Sequence, residues 1–577
     1  MASRIPDMEE EHTSRSSDGE APKLDLRGEE TSRSGTPPKK RVAPNHKHKA
    51  PHRRSSNSKL PRLKPELQPF SGECTSCSDS EETIRIQQAK KRATEFRETC
   101  QTKRVQVADS SDEEHGCDVD DWEPRSAPKT SGVFHYAEWF VGKLEPCQRD
   151  ALKRAFEKAT YMNLCAGLGT SIIITEALHR ALMPCTGPPQ CVCLTECNKD
   201  RQAALQRRIE TLPQVNIPIL ASNAILALDD IKDVHGNDVS QPKADILFMG
   251  IVCVDISKCS STPRSIQDPD SESGRSWLDL LQYLRKLTLE DRPNAIVLEC
   301  VDNLGNARSI SGTIEKGTEV VVEALQEVGF IGKWTRLSAT HFGLPQRRPR
   351  VWGLFAKLRD GLGPKAREER MQQMSPLWSI IQVGMCTGCE PLPNILARVD
   401  QRADGAPSKK AKTRNSARAS GFWKQKGHPN FCSNYGLTKS YVSRGRDEWE
   451  VATKDILLPR EQEAVWLVLC HARQSGRILN WKHGILVSDC GSSVSWLSVT
   501  KGCFPCLRPN NKFLLLEQGV ARVATGLDCL AIQGIGPNEV KAFHLEEEED
   551  ALLRVLAGNG FCANIALVFL VASLLSL

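Results

Sequence analysis

Short apolar runs alternate with segments of helical periodicity from about residue 132 onward. Five of these runs have the length of buried strands: residues 161–166, 192–195, 245–250, 295–298 and 351–356. Three intervening segments carry apolar residues at helical spacing: residues 171–182, 277–286 and 318–327. Strands that alternate with helices in this way favour an α/β fold with a doubly wound, mostly parallel sheet.

The same pattern divides the chain into four parts. Residues 1–130 lack hydrophobic periodicity and are rich in Ser, Lys, Arg and Glu, which predicts a disordered tail. Residues 132–357 are predicted to form the main domain, and the basic, loop-rich residues 358–515 a smaller one. Residues 516–577 are predicted to return to the main domain. Because their apolar end is short and contains Asn564, we expect a buried helix there rather than a membrane span.

Charge changes this picture through its distribution, because the formal net charge is only +6. Residues 39–64 and residues 405–446 are both rich in Lys and Arg and contain no acid. Such stretches suit a polyanion, nucleic acid first, although a solvated linker is the alternative. The first residues have no apolar core of a secretory signal, so we expect the 22 cysteines to be free thiols in a reducing compartment.

The first predicted strand runs into a glycine turn, Met162-Asn-Leu-Cys-Ala-Gly-Leu-Gly169. Glycine allows a ligand to approach the backbone closely, and ligands of such sheets bind at the carboxyl ends of the strands. Glu196 ends the second strand, where an acid can accept both hydroxyls of a ribose. The turn and the acid together predict a nucleotide-like ligand, and the alternative for Glu196 is a solvent-facing strand terminus.

Two further strand ends carry reactive side chains. Cys253 follows an apolar strand in the frame Gly250-x-x-Cys253-x-x-x-Ser257, and Glu299 ends the strand in Pro293-Asn-Ala-Ile-Val-Leu-Glu-Cys-Val-Asp302. A thiolate is a strong nucleophile, and a partly buried carboxyl can donate a proton. The pair predicts covalent catalysis. The alternatives are a small buried thiol and an exposed acid.

A basic cluster follows about a hundred residues after Cys253. Gln346-Arg-Arg-Pro-Arg350, called here the arginine block, lies within His341-Phe-Gly-Leu-Pro-Gln-Arg-Arg-Pro-Arg-Val-Trp352. Guanidinium groups bind carboxylates, bases and phosphates through two parallel hydrogen bonds, so the block predicts a binding site for such groups. The alternative is a surface cluster without a specific ligand.

In this order the glycine turn, Glu196, Cys253, Glu299 and the arginine block resemble the motifs of the DNA cytosine-C5 methyltransferases. The chain is identified as a divergent member of eukaryotic type over roughly residues 160–577. The resemblance implies the class I S-adenosylmethionine-dependent methyltransferase fold, with a target-recognition domain. It also implies methyl transfer from S-adenosylmethionine to C5 of cytosine in double-stranded DNA, with the target base flipped out of the stack.

The resemblance also implies a role for each site residue. Cys253 would add to C6 of cytosine, and Glu299 would act at N3. Arg348 would contact the flipped base, while Arg350 would support the loop or a phosphate. For the third cofactor turn, Asn223 and Asp230 stay open as alternatives. The implied cofactor-binding residues are Cys165, Ala166, Gly167, Gly169, Glu196 and Asn559.

Three departures from the family pattern lie close to this chemistry. Val252 stands where the family has proline, Cys300 where it has asparagine, and Cys165 where it has phenylalanine. Proline would stiffen the loop before Cys253, and the asparagine amide would brace it. The departures motivate one alternative, a catalytically impaired DNA-binding protein. Cytosine methylation of transfer RNA is a second, and an unrelated cysteine hydrolase, which would need a histidine base, is the least favoured.

Other motifs concern location, modification and metals. Pro37-Pro-Lys-Lys-Arg-Val42 resembles a nuclear-import signal, so we expect the nucleus. Ser78-Asp-Ser-Glu-Glu82 and Ser110-Ser-Asp-Glu-Glu114 resemble kinase acceptor sites. Cys503-Phe-Pro-Cys506, with Cys490 and His483, could be interpreted as zinc ligands, but a loop of the recognition domain is favoured. We therefore predict no metal site and no membrane segment.

Overall fold

The computed structural model describes most of the chain from residue 132 onward. The described residues are 132–183, 187–212, 217–258, 260, 263–310, 313–358, 363–386, 388–397, 432–433, 436–438, 442, 445–476, 482–491, 497–509 and 511–577. The predicted tail, its import-like segment, its kinase sites and most of the basic stretch 405–446 lie outside these residues.

A seven-stranded sheet forms the centre of the main domain, in the order β3-β2-β1-β4-β5-β9-β8. Strands β1 to β5 pair in parallel, whereas β9 is antiparallel to both β5 and β8. Their bounds are β1 Thr160–Leu164, β2 Gln190–Thr195, β3 Ile219–Leu220, β4 Ile246–Gly250, β5 Ala295–Val301, β8 Phe330–Leu337 and β9 Arg350–Lys357. A hairpin of β6 Ala307–Ile310 and β7 Thr313–Lys316 stands beside the sheet as a separate ribbon.

Helices cover both faces of this sheet. In β4, Ile246 and Phe248 belong to one apolar cluster, whereas Leu247 and Met249 belong to the other, as the alternation of a strand requires. The first face is covered by α1 Val133–Lys143, α2 Pro146–Phe156, α3 Thr170–Leu182 and α4 Lys199–Glu210. The second face is covered by α5 Glu272–Lys286 and α6 Gly317–Glu327. The predicted doubly wound, mostly parallel sheet is therefore confirmed.

The predicted strands and helices are all present, and their ends differ by a few residues. The largest difference is at α5, which begins at Glu272 rather than Trp277. Its first turn is polar, so apolar periodicity does not reveal it, but the side chain of Ser271 accepts a hydrogen bond from Gly274 N and caps the helix.

A second, antiparallel sheet has the order β11-β10-β12-β13. With α10 it forms an apolar core of its own, which includes Leu467, Leu486 and Leu516. Helix α7, in contrast, packs on the main core through Met374 and Ile380, so that core extends past residue 357. The bounds here are α7 Pro364–Val383, α8 Leu392–Ala397, α9 Arg446–Thr453, α10 Pro459–Gln474, β10 Ile485–Asp489, β11 Val499–Lys501, β12 Phe513–Glu517 and β13 Val520–Val523.

The end of the chain packs into the main core. Helices α11 Gly526–Ala531, α12 Pro537–Ala542, α13 Asp550–Asn559 and α14 Ala563–Leu574 follow β13. Every residue of α14 is buried, which confirms the predicted buried helix. No single helix among the described residues is long and apolar enough to cross a membrane. Helices α13 and α14 pass that test only as a pair bent by 46°.

Candidate active site

The predicted nucleophile lies in residues 251–257, called here the nucleophile loop, directly after β4. Ile251 N donates to the backbone oxygen of Glu299 (2.9 Å), which continues the pairing of β4 with β5. After Cys253 the chain turns, because Ile256 N and Ser257 N both donate to Cys253 O (3.1 and 2.8 Å). The thiol is half-buried. Burial raises the pKa of Cys253, and Arg350 opposes this shift without cancelling it.

The register of the sheet brings Glu299 and Arg350 together. Strand β5 pairs with β9 so that Glu299 lies opposite Trp352 and Val301 lies opposite Arg350. Alternate residues of a strand share a face, so Glu299 and Arg350 are diagonal neighbours on one face. Arg350 Nε lies 3.0 Å from Glu299 Oε1, and both side chains are largely buried. Cys253, Glu299 and Arg350 thus meet at one edge of the sheet.

Arg348 has a different environment from the one expected. Its guanidinium donates to the backbone oxygens of Leu507 (2.6 Å), Gly558 (3.2 Å) and Gly560 (3.1 Å), and the residue is 4% exposed. It therefore joins the arginine block to the segment between β11 and β12 and to the end of α13. Arg350, rather than Arg348, is the arginine paired with Glu299, because Arg350 is the first residue of β9 and lies diagonal to Glu299, whereas Arg348 precedes the strand. The expected contact of Arg348 with a flipped base stays a prediction.

The nucleophile loop is braced by side chains that the sequence did not single out. Asn303 Nδ2 donates to Ile256 O (2.8 Å), and Asp255 exchanges hydrogen bonds with Ser273 at the start of α5 (3.0 and 3.2 Å). Cys300 is fully buried with its sulfur 4.0 Å from Ile251 O. Cys300 therefore occupies a bracing position, but a weak thiol donor makes the contact there.

The glycine turn has an unusual backbone at three of its residues. Cys165 (φ 55°), Gly167 (φ 53°) and Gly169 (φ 76°) all adopt left-handed conformations, and Gly169 then begins α3. A side chain at Gly167 would meet nothing closer than Asn559 O, 3.8 Å away. That is ordinary van der Waals contact, so the turn places Gly167 beside the exposed Asn559, the residue predicted with it for the cofactor site.

Glu196 is bound from several sides at the end of β2. Its carboxylate accepts hydrogen bonds from Gly167 N (3.0 Å) and Asn198 N (2.9 Å), and it forms an ion pair with Arg201 (3.4 Å). A carboxylate has about four acceptor positions, and the fourth holds only a weak contact from Cys197 Sγ (3.8 Å), which a ribose hydroxyl would replace. Thr170 Oγ1, in the first turn of α3, is buried without a hydrogen-bond partner. The residues present therefore fit S-adenosylmethionine.

The choice between Asn223 and Asp230 falls to Asn223. Asn223 is buried; its Oδ1 accepts from Thr195 Oγ1, and its Nδ2 lies 3.5 Å from Cys165 Sγ and 3.3 Å from Ser276 Oγ. Asp230, in contrast, is exposed and pairs with a lysine on the surface. This geometry favours Asn223, which the turn at Cys165 contacts directly, and its role as the third cofactor position stays a prediction.

A second cysteine enters the site from the recognition domain. Arg347 N donates to Phe504 O and Phe504 N donates to Pro345 O, both at 2.8 Å, so the segment after β11 pairs with the arginine block. Two residues later, Cys506 Sγ accepts a hydrogen bond from Arg350 Nη2 (3.4 Å). Within the described part of the chain, no group of three or more His, Cys, Asp or Glu residues could hold a metal ion.

Comparisons with known proteins show what this chain is similar to. Residues 161–380 match the family model for C-5 cytosine-specific DNA methylase. The DNA (cytosine-5-)-methyltransferase DMT5 of Cryptococcus neoformans is 26% identical over 363 residues, or 59% of this chain. The type II methyltransferase M.Sau3AI of Staphylococcus aureus is 28% identical over 159 residues, or 28% of this chain. The chain spans 14% of the first relative's length and 35% of the second's.

Among solved structures, the Dnmt2 methyltransferase of S. pombe aligns with 72% of this chain and 98% of its own length, at 12% identity and a TM-score of 0.36. The segment matched by the family model contains Cys253, Glu299 and the complete arginine block. Residues 161–380 are therefore similar to a C-5 cytosine-specific DNA methylase domain, and the chain shows distant similarity to DNA cytosine-5-methyltransferases.

Proposed function

We propose that this protein transfers a methyl group from S-adenosylmethionine to C5 of cytosine in DNA through a covalent adduct with Cys253. One observation carries the proposal. Cys253, Glu299 and Arg350 meet at the edge of the sheet where the glycine turn and Glu196 also lie. A nucleophile, an acid and a nucleotide-binding turn at one edge are the groups that this reaction needs.

The first step is addition of Cys253 to C6 of the ring. The thiolate is the reactive form, and because burial raises the pKa of Cys253, the thiol must lose its proton as the substrate binds. Arg350 favours that loss through its positive charge. Glu299 hydrogen-bonds or protonates N3, so the electrons displaced from the C5–C6 double bond are stabilised on the ring.

The second step places the methyl group. When bound, S-adenosylmethionine would supply an electrophilic methyl group to C5 of the activated ring and would leave as S-adenosylhomocysteine, with its sulfur–methyl bond broken. A base then removes the C5 proton, the C5–C6 double bond forms again, and the Cys253–C6 bond breaks to release the thiolate. Glu299 recovers its proton from N3 in the same step, so the enzyme returns to its starting state.

Access to the ring requires the cytosine to leave the duplex, at a cost of a few kcal/mol. The basic stretch 405–446 would bind phosphates, so we expect DNA binding to weaken strongly with salt. The segment Pro37 to Val42 supports a nuclear location, and the two acidic serine segments support regulation by kinases.

The test is tritium transfer from labelled S-adenosylmethionine to unmethylated DNA, hemimethylated DNA and transfer RNA. Transfer to DNA that is lost in Cys253→Ala supports the proposal. Transfer to RNA alone would assign the second alternative instead. Trapping of the wild-type chain, but not Cys253→Ala, on DNA containing 5-fluorocytosine would report the covalent step directly.

A second candidate, a catalytically impaired DNA-binding protein, is favoured by the contact of Cys300. Its sulfur lies 4.0 Å from Ile251 O, where an amide would donate a full hydrogen bond to the nucleophile loop. No transfer to any substrate, together with salt-sensitive DNA binding, would support this candidate.

A further inference from the structure

The segment between β11 and β12 supplies a thiol to the candidate active site. The segment that carries Cys506 lies between β11 and β12 and is fixed to the arginine block by the two backbone hydrogen bonds at Phe504. This pairing places Cys506 beside Arg350. Cys506 is half-buried as a residue, and its sulfur contacts the Arg350 guanidinium.

Arg350 joins two acidic groups from two parts of the chain. Its Nε lies 3.0 Å from Glu299 Oε1 on β5, and its Nη2 lies 3.4 Å from Cys506 Sγ. A guanidinium presents its donors in a rigid fork, so holding two of them fixes the orientation of the whole group. Without Cys506, the Nη2 donor would lose this partner and Arg350 would be held mainly by Glu299 and the backbone.

The charges around the two sulfurs of the site differ. Burial raises the pKa of Cys506, but Arg350, Arg348 and Arg508 lower it by more, and the net direction is downward. For Cys253, burial dominates and the net direction is upward, although Arg350 acts on it too. Arg350 lowers the pKa of both thiols, whereas Glu299 and Cys506 raise the pKa of Cys253. The more acidic thiol of the site is therefore Cys506, not the predicted nucleophile.

We propose that Cys506 is a positioning residue of the catalytic centre, whose sulfur holds the Arg350 guanidinium in its ion pair with Glu299. The inference rests on the proposed function for its catalytic meaning, but the contact between Cys506 and Arg350 exists whether or not methyl transfer occurs. It also makes the site sensitive to the recognition domain, because any movement of the segment around Phe504 releases one donor of Arg350.

The first experiment measures alkylation of single cysteines by iodoacetamide in the folded full chain, read by peptide mass spectrometry. Cys147, which is exposed and remote from the site, serves as the reference thiol. A thiol of ordinary pKa reacts roughly fiftyfold more slowly at pH 6.5 than at pH 8.5. We expect less than about a tenfold decrease for Cys506, and a decrease like that of Cys147 in Arg350→Gln.

The second experiment follows methyl transfer in Cys506→Ala and Cys506→Ser. We expect Ala to lower kcat about tenfold with KM for DNA and S-adenosylmethionine unchanged. The hydroxyl of serine can accept a hydrogen bond from Arg350, so Cys506→Ser should restore part of kcat. Because that hydroxyl does not ionise, Cys506→Ser should also abolish the acid limb that Cys506 contributes to the pH profile of kcat. A merely structural role would instead lower stability and leave the pH profile unchanged.

The two experiments separate the two proposals. If Cys506 follows Cys147 at both pH values, and Arg350→Gln does not change it, the inference is overturned. If alkylation behaves as expected but the wild-type chain transfers no methyl group, the thiolate–guanidinium pair is supported and the proposed function fails alone. Arg350→Lys, which keeps the charge, serves as a second variant if Arg350→Gln does not fold.

Discussion

The arginine block and the nucleophile loop face each other at one edge of the sheet, but the fold holds them differently. The block is bound to three distant segments, through Arg348 to Leu507 and Gly558, and through Arg350 to Glu299. The loop is held by the backbone bond of Ile251, by Asn303 and by the weak contact of Cys300. The block keeps the family pattern, and the departures lie in and beside the loop.

This difference separates the segment of the site that is tightly held by hydrogen bonds from the segment that is held more loosely. Buried guanidinium groups need their donors satisfied, so Arg348 and Arg350 cannot vary without loss of stability. The nucleophile loop is partly exposed, and its side chains can change at smaller cost to the fold. We therefore expect substitutions in the block to affect stability and substitutions near the loop to affect the rate.

The largest effect is expected for Glu299→Gln, which keeps the size of the side chain but removes the acid. General acid–base groups contribute typically about 10²–10⁴-fold, so methyl transfer should decrease by that factor while DNA binding persists. Asp302→Asn is the matched control, because Asp302 lies just past the end of the same strand and pairs with Arg336 instead. Equal rates for Glu299→Gln and Asp302→Asn would remove Glu299 from the catalytic centre.

Arg348→Ala tests how strongly the arginine block is held. It leaves three buried carbonyl oxygens without their donor, so the free energy of unfolding should decrease by about 3 kcal/mol or more. Denaturant unfolding measures this directly. Its neighbour Arg347 is exposed, and Arg347→Ala should cost less than about 1 kcal/mol. Similar losses for both variants would contradict the bracing role of Arg348.

Glu539→Gln separates the pH dependence of the fold from that of the site. Glu539 is fully buried, where its Oε1 accepts from Phe134 N (2.7 Å) at the start of α1, and burial raises its pKa to about 7. The folded state therefore holds this proton more tightly than the unfolded chain. The stability from this group is complete below about pH 4.5 and is lost as pH rises to about 7.

The expected loss over that window is about 3 kcal/mol, from roughly 1.4 kcal/mol for each pKa unit. Denaturant unfolding between pH 5 and pH 8 should show this slope in the wild type and not in Glu539→Gln. Glu549→Gln, at an exposed acid, should keep the wild-type slope. If Glu539→Gln also keeps it, the buried carboxyl does not set the pH dependence of stability.

The smallest effect is expected for Cys300→Asn, which adds an amide donor opposite Ile251 O. One hydrogen bond contributes about 1 kcal/mol net, so a better-braced nucleophile loop should raise methyl transfer by about fivefold. Cys300→Ala, which adds no donor, is the control and should not raise the rate. Equal rates for Cys300→Asn and Cys300→Ala would show that the loop needs no further brace, and the contrast with the arginine block would lose its functional meaning.

The hydrophobic pattern predicted five strands of the main sheet and three of its covering helices, but not β3 or helices α1, α2 and α4. Strands and helices depend on apolar spacing within ten or so residues, which any single sequence displays. The same holds for Cys253, Glu299 and the glycine turn, because strand ends are local features and parallel strands bring those ends to one edge. The first turn of α5 was missed because its residues are polar, and a prediction from apolar spacing does not detect them.

Contacts between distant segments decided the rest. Asn223 is distinguished from Asp230 only by Thr195 and Cys165, which come from other strands. No local pattern indicates which arginine meets Glu299, or that Cys506 approaches Arg350 from more than 150 residues away. Hydrogen bonds and ion pairs of this kind depend on the register and packing of whole elements, so the chain's local pattern determined the frame and the tertiary structure determined the partners.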